Sequence, residues 1–253
     1  MNLTIAILIF IVGISIGSFL NAVIWRLHTK ENFLKGRSYC PKCRAHIRAR
    51  DLMPVMSFLL LRGKCRDCGK SISWQYPLIE LVTAVAFVIL YGVFGLTISF
   101  FVAAVYTGFL VIVFMFDLKH YLILDRVMLP AAIVAFFGSL LIGLSIWNIL
   151  LGAVIGGGFF MLQFLLSGGK WIGGGDIRLG AVMGLMLGWQ GVLVALFISY
   201  LVGSITGVIL IFSGRKSWQS RLPFGVFLTL ATFIALVWGD AIASWYSSIL
   251  GYQ

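Results

Sequence analysis

The chain has 253 residues, 61% of them hydrophobic and only 11% charged, with a formal net charge of +11 and a mean hydropathy of +1.06. A soluble domain of this length needs far more charge on its surface, which excludes that class. The apolar residues fall in runs of around 20, enough to cross a bilayer as a helix. The chain reads as an all-α polytopic membrane protein.

Taken in order, about eight transmembrane helices are expected, near 2–25, 78–94, 97–116, 127–145, 147–167, 177–189, 191–213 and 223–250. The sixth is short and rich in glycine. No Lys or Arg precedes the first, and Arg26 directly follows it. That is the charge pattern of an anchor with its N-terminus outside, not of a cleaved signal peptide. The expected division is a first helix at 1–25, a cytoplasmic module at 26–77 and a seven-helix membrane domain at 78–253.

The basic residues test this count independently. Twelve of the 19 lie between Arg26 and Pro77, and the others are Lys119, Arg126, Lys170, Arg178, Arg215, Lys216 and Arg221. With eight spans and an outside N-terminus, all of them fall on the cytoplasmic side, where such an excess belongs. The net charge therefore reads as topology and as attraction to an anionic lipid bilayer. Nucleic acid is not an expected partner, because no soluble basic domain or RNA-binding motif is present.

The soluble segment holds all four cysteines, as CPKC (Cys40, Cys43) and CRDC (Cys65, Cys68). Two C-x-x-C turns at this distance suit one tetrahedral four-thiolate zinc site. A segment of about 50 residues buries too little core to hold itself together well, so a metal crosslink has a clear role. Disulfides are the competing reading, disfavoured in a reducing cytoplasm. A redox-active C-x-x-C is another, weakened by the absence of a βαβ pattern around either pair. Four cysteines leave no open position for a catalytic metal, and His46 reads as a surface residue.

Only eight acids occur in the chain. Glu31, Asp51 and Asp67 lie in the soluble segment, whereas Glu80, Asp117, Asp125, Asp176 and Asp240 lie in spans or at their edges. Carboxylates near a membrane core are costly and hence functional candidates. Asp125 reads as the N-cap of the fourth span, and Asp240 as a residue reaching the outer interface. Glu80 stands in the first turn of the second span, where it could satisfy backbone donors. Asp117 closes the third span in VFMFDLKHY, and Asp176 opens the sixth in GGGDIRLG. Two complete spans separate them, so both return to the cytoplasmic edge. Two carboxylates at one depth can share a proton, one activating water and the other protonating a carbonyl oxygen. That is chemistry for amide hydrolysis. Gly173, Gly174 and Gly175, lacking side chains, let another backbone approach Asp176; tight helix packing or a flexible loop would also use glycines here.

These stretches, GSFLNAVIWRL (17–27), the two C-x-x-C pairs, LRGKCRDCGKSISWQYPLIE (61–80), FDLKHYLILD (116–125), GGGDIRL (173–179) and RLPFGVF (221–227), carry a resemblance. The chain resembles the type IV prepilin peptidases, bacterial inner-membrane aspartyl proteases with a G-x-G-D motif. The resemblance implies catalytic aspartates at Asp117 and Asp176. It implies prepilin substrates with a short basic leader, cut before a hydrophobic helical N-terminus. It also implies methylation of the new N-terminus with S-adenosylmethionine, as many family members perform. No glycine-rich βαβ signature is present, so a methyl-donor site must be built differently. Glu80 is the acid expected to hold the newly formed amine. The family usually has proline where this chain has Leu124 and Val226, and neither departure is expected to touch a catalytic group.

Two other classes remain. A transporter could use the paired carboxylates as a proton relay, but it would place polar residues near mid-bilayer. A non-catalytic scaffold of a pilus or secretion machine would explain the basic module, yet would tolerate loss of both carboxylates. The topology is directly testable. Reporters fused near Lys119, Lys170 and Lys216 should read inside, and those near Gly95, Ser145 and Gln253 outside. An inside signal at the C-terminus would remove the eight-span arrangement.

Overall fold

The computed structural model describes residues 2–32, 36–214 and 222–249. Lys35, Arg215, Lys216, Arg221 and Gln253, all used in the topology argument above, lie outside the described residues. Those described form helices and turns with no strand longer than an isolated bridge. The chain divides into two compact units, Met1–Phe100 and Phe101–Gln253.

In the first unit, α1 (Leu3–Thr29) packs against α3 (Gln75–Phe94). Small residues permit the approach: a Cβ at Gly13 would lie 2.6 Å from Ala84 Cα, and one at Gly17 would lie 2.6 Å from Glu80 Cα. Lipid gives apolar helices no hydrophobic reason to associate, so close backbone packing at small residues supplies the attraction. Between these helices lie a 3-10 turn (Ala49–Leu52) and the short α2 (Met56–Leu60).

The cysteine turns repeat one design. The bridge Tyr39–His46 closes the first and Lys64–Ser71 the second. Cys40 N–H donates to Ala45 O at 2.9 Å and Cys65 N–H to Lys70 O at 2.8 Å. The residue after each second cysteine is left-handed, Arg44 at φ 60° and Gly69 at φ 68°. Arg66 joins the second turn to Asp51 through two hydrogen bonds, 2.6 and 2.9 Å. Its guanidinium holds the Asp51 carboxyl below its ordinary value.

The second unit contains most of α4 (Ile98–His120), then α5 (Asp125–Leu141), α6 (Ile146–Ser167), α7 (Gly174–Phe212) and α8 (Phe224–Ile249). Six described helices (α1, α3, α4, α6, α7 and α8) are long and apolar enough to cross a membrane. α5, with 17 residues, is shorter than each of these six.

α7 is not continuous. Gly188 has φ 69° and ψ −178°, a conformation open to glycine and strained for other residues. Contacts along α6 show that the chain reverses there. A Cβ at Gly152 would lie 3.0 Å from Gly188 Cα, and one at Gly180 would lie 2.5 Å from Gly156 O; residues 174–187 thus run antiparallel to α6. Beyond the break the order inverts, with Trp189 beside Asn148 and Tyr200 beside Gln163. The amide freed by the break is not left bare, because Trp189 N–H donates to Asn148 Oδ1 at 2.9 Å. Irregular backbone at membrane depth survives only with such partners.

Candidate active site and metal centre

Asp117 stands one turn before the end of α4 and is buried. Its Oδ2 accepts the Val226 N–H at 3.1 Å, and the Gly225 amide also bonds to this carboxylate. Both donors lie in the first turn of α8, where a helix has no internal carbonyls for them and carries partial positive charge. A Cβ at Gly225 would lie 2.8 Å from Asp117 Oδ2, so a side chain there would push the carboxylate away. Val226 therefore does touch a candidate catalytic group, contrary to the expectation. The contact runs through its main chain, which a side-chain comparison does not weigh, and a proline at 226 could not make it.

Asp176 lies in the first turn of α7, three residues after the N-cap Gly173. Its Oδ2 accepts the Gly173 N–H at 3.2 Å, the return bond of a capping box. The charge of Asp117 reaches Asp176, so the two carboxylates share one electrostatic environment. The loop after α4 helps to join them. Ile123 sits over Gly175, where a Cβ would lie 2.9 Å from the Ile123 Cβ. Asp125 forms an ion pair with Arg178. Asp125 was expected to be an N-cap; that position belongs to Leu124, without a side-chain cap bond, and Asp125 instead turns outward to its cation. Gly173 and Gly174 are more open, with nearest neighbours at 3.6 and 4.0 Å from an added Cβ.

The four cysteines meet in the first unit. Their sulfurs lie within 4.8 Å of one another, with Cys40 and Cys68 Sγ 4.0 Å apart. A tetrahedral ion bound at about 2.3 Å would place thiolates roughly 3.8 Å apart, so these residues fit a four-thiolate metal site. Burial raises the Cys40 thiol, but the Cys43 and Lys42 amides outweigh it and bring it down to about 7. The Ala45 amide lowers the Cys43 thiol, but desolvation and bonds to the other three sulfurs push it up to about 11. His46 is exposed and is not part of the cluster.

Glu80 is buried against α1, and its Oε2 accepts the Val55 N–H at 2.7 Å. The donor was not foreseeable, because Val55 adopts φ 59°, a conformation costly for a β-branched residue.

Residues 11–94 match the bacterial peptidase A24 N-terminal domain, and residues 104–208 match the type IV leader peptidase family. A prepilin leader peptidase/N-methyltransferase of Bacillus subtilis (strain 168) is 35% identical over 240 residues, covering 94% of this chain and 96% of that protein. The chain belongs to the type IV leader peptidase family. A protein of the same description from Aeromonas salmonicida (strain A449) is 35% identical, covering 96% of this chain and 94% of its own length. One from Pseudomonas aeruginosa is 31% identical, with 96% and 93% covered. No solved structure matches the chain. Family and helices together make it a multi-pass membrane peptidase.

In this leader peptidase Tyr200 and Gln163, which the sequence did not single out, stand beside the candidate site. Tyr200 donates to Gln163 Oε1 at 2.9 Å, feels the Asp176 charge, and stacks edgewise on Phe224 with ring centroids 4.9 Å apart. Phe224 directly precedes the Gly225 and Val226 amides that hold Asp117. A lone Gln within an apolar helix was the available signal.

The crowding at Gly175 can be checked by thermal unfolding in detergent. Gly175→Ala should cost about 1–3 kcal/mol, as overpacking does. Gly174→Ala, with open space around it, should stay within about 0.5 kcal/mol. Equal losses would mean that Ile123 does not seat on the glycine turn.

Proposed function

We propose that the chain is a prepilin leader peptidase in which Asp117 and Asp176 form the catalytic pair. What supports the reading is that the first turns of α8 and α7 bring backbone amides to two carboxylates, and that the charge of Asp117 reaches Asp176, in a chain of the leader peptidase family. One carboxylate takes a proton from water as the water oxygen attacks the scissile carbonyl. The other, protonated, gives its proton to the carbonyl oxygen. Collapse of the tetrahedral intermediate breaks the C–N bond, the proton gained from water leaves with the amine, and one hydroxyl of the intermediate returns its proton to the second carboxylate. Gly173 and Gly174 are the open floor on which a substrate backbone approaches. The transporter and scaffold readings find no comparable support.

In this reading eight helices cross the bacterial inner membrane with the N-terminus outside. The reversal at Gly188 makes two crossings of α7. At roughly 1.5 Å per residue, α7 would be about 58 Å long as one rod, far more than a hydrocarbon core of about 30 Å. The division is then a helix at 1–25, a zinc module at 26–77 and the peptidase domain at 78–253. Module and active site face the cytoplasm. Cys40, Cys43, Cys65 and Cys68 hold zinc, which supplies a structural crosslink and no chemistry at the peptide bond. The relatives' names pair cleavage with N-methylation, and the same second activity is proposed here with S-adenosylmethionine as donor. Glu80 holds the new amine.

Asp117→Asn and Asp176→Asn should each lower leader cleavage by roughly 10²–10⁴-fold, while membrane insertion and zinc content persist. Asp125→Asn should retain most activity, because its partner Arg178 lies on the surface. The assay is gel shift of a prepilin. Normal cleavage by Asp176→Asn would end the aspartyl-protease reading.

The metal is tested separately. Purified protein should carry about one zinc per chain. Cys40→Ser and Cys68→Ser should each lower that content and expose residues 26–77 to proteolysis. Full occupancy in both variants would mean the cysteines are not joint ligands.

A further inference from the structure

The cysteine module carries an apolar projection. Residues 52–60 read LMPVMSFLL, and Leu52, Met53, Met56, Leu59 and Leu60 are exposed, Leu60 to 75%. Trp74 is 74% exposed. One side of α2 is fixed in place. Phe58 is buried, stacks on Trp74 with ring centroids 4.9 Å apart, and lies 3.1 Å from where a Cβ on Gly63 would stand. The side chains around it thus stay exposed while α2 itself is anchored. Large apolar groups gathered in this way mark a surface that meets a membrane or a partner.

Two further observations say which. The first is depth. Val55 N–H, at the start of α2, donates to Glu80 Oε2 at 2.7 Å. Glu80 belongs to α3 (Gln75–Phe94), which is long and apolar enough to cross a membrane. At roughly 1.5 Å per residue the bond lies about 8 Å along that helix, so α2 begins level with a spanning segment. Leu78 and Leu81, on either side of Glu80 in the sequence, are exposed as well. The second is charge. Arg48 and Arg50 precede the projection, Arg62 and Lys64 follow it, and all four are exposed. Residues 48–74 hold six bases and two acids, and one of those acids, Asp51, is paired with Arg66. Bases bracketing exposed apolar residues complement anionic headgroups lying over acyl chains, and tryptophan favours the same boundary.

We propose that residues 52–60 and Trp74 dock the cysteine module onto a leaflet of anionic phospholipid. Met53, Met56, Leu59 and Leu60 enter the boundary between headgroups and acyl chains. Arg48, Arg50, Arg62 and Lys64 meet the lipid phosphates. The surface lies wholly within the first unit and needs neither the aspartate pair nor a bound metal. The attraction of a basic chain for such lipid thereby becomes a particular surface, with apolar and charged parts that can be altered separately.

The test uses the full-length protein with the photo-crosslinker benzoylphenylalanine in place of Leu60. It is placed in nanodiscs of phosphatidylcholine, with or without phosphatidylglycerol. After illumination, mass spectrometry should find phospholipid attached at position 60. The yield should rise roughly threefold or more with phosphatidylglycerol at low salt, and high salt should reduce that gain. Changing Arg48, Arg50, Arg62 and Lys64 together to Gln should abolish the gain. Met53→Asn combined with Met56→Asn should lower the yield in both lipids. The lipid and salt dependence is read without these added changes, so a variant that failed to fold would not spare the proposal. No lipid adduct at position 60, a yield indifferent to phosphatidylglycerol, or a crosslink to a second copy of the chain in place of lipid would overturn the docking surface.

Discussion

In a bilayer every main-chain amide and carbonyl needs a partner inside the protein, and the second unit is arranged around the places where that rule is hardest to obey. Helix starts are such places, because their first amides have no carbonyl to meet. At α7 the spare amide of Gly173 goes to Asp176, and at α8 those of Gly225 and Val226 go to Asp117. The reversal at Gly188 frees another, which goes to Asn148. Position, charge and backbone satisfaction are thus met by the same contacts. The glycine seam between α6 and residues 174–187 then fixes the depth at which the α7 start can sit.

Much of this was legible in the sequence. Hydrophobic runs located the helices to within a few residues, since burial in lipid leaves a composition signal that needs no knowledge of packing. The cysteine spacing carried the four-cysteine cluster for a similar reason, because each knuckle is a local turn. The carboxylates stood out because charge is scarce in such a chain. The break at Gly188 was also foreshadowed, because the expected sixth and seventh spans divide at residue 190, two positions beyond it.

The remainder depends on main-chain atoms and on register, neither of which a residue letter records. Val226 looked inert because its side chain is apolar, yet its amide is what reaches Asp117. Asp125 had the spacing of a cap, but Arg178 on a different helix claimed its carboxylate. Of the three glycines before Ile177, only Gly175 is crowded, and the neighbour that crowds it comes from the α4–α5 loop. Asn21 and Thr83 look like ordinary polar residues in apolar helices until the packing leaves one oxygen of each without a partner.

The amide that Val226 lends to Asp117 would otherwise be spare, so the helix gives up no internal bond by offering it. The Val226 side chain is itself buried, so it serves packing while its main chain serves the carboxylate. Proline separates the two roles: a helix accepts it in its first turn and its ring is apolar, while the carboxylate would lose a donor. One residue thus answers to two demands that different kinds of substitution would reveal.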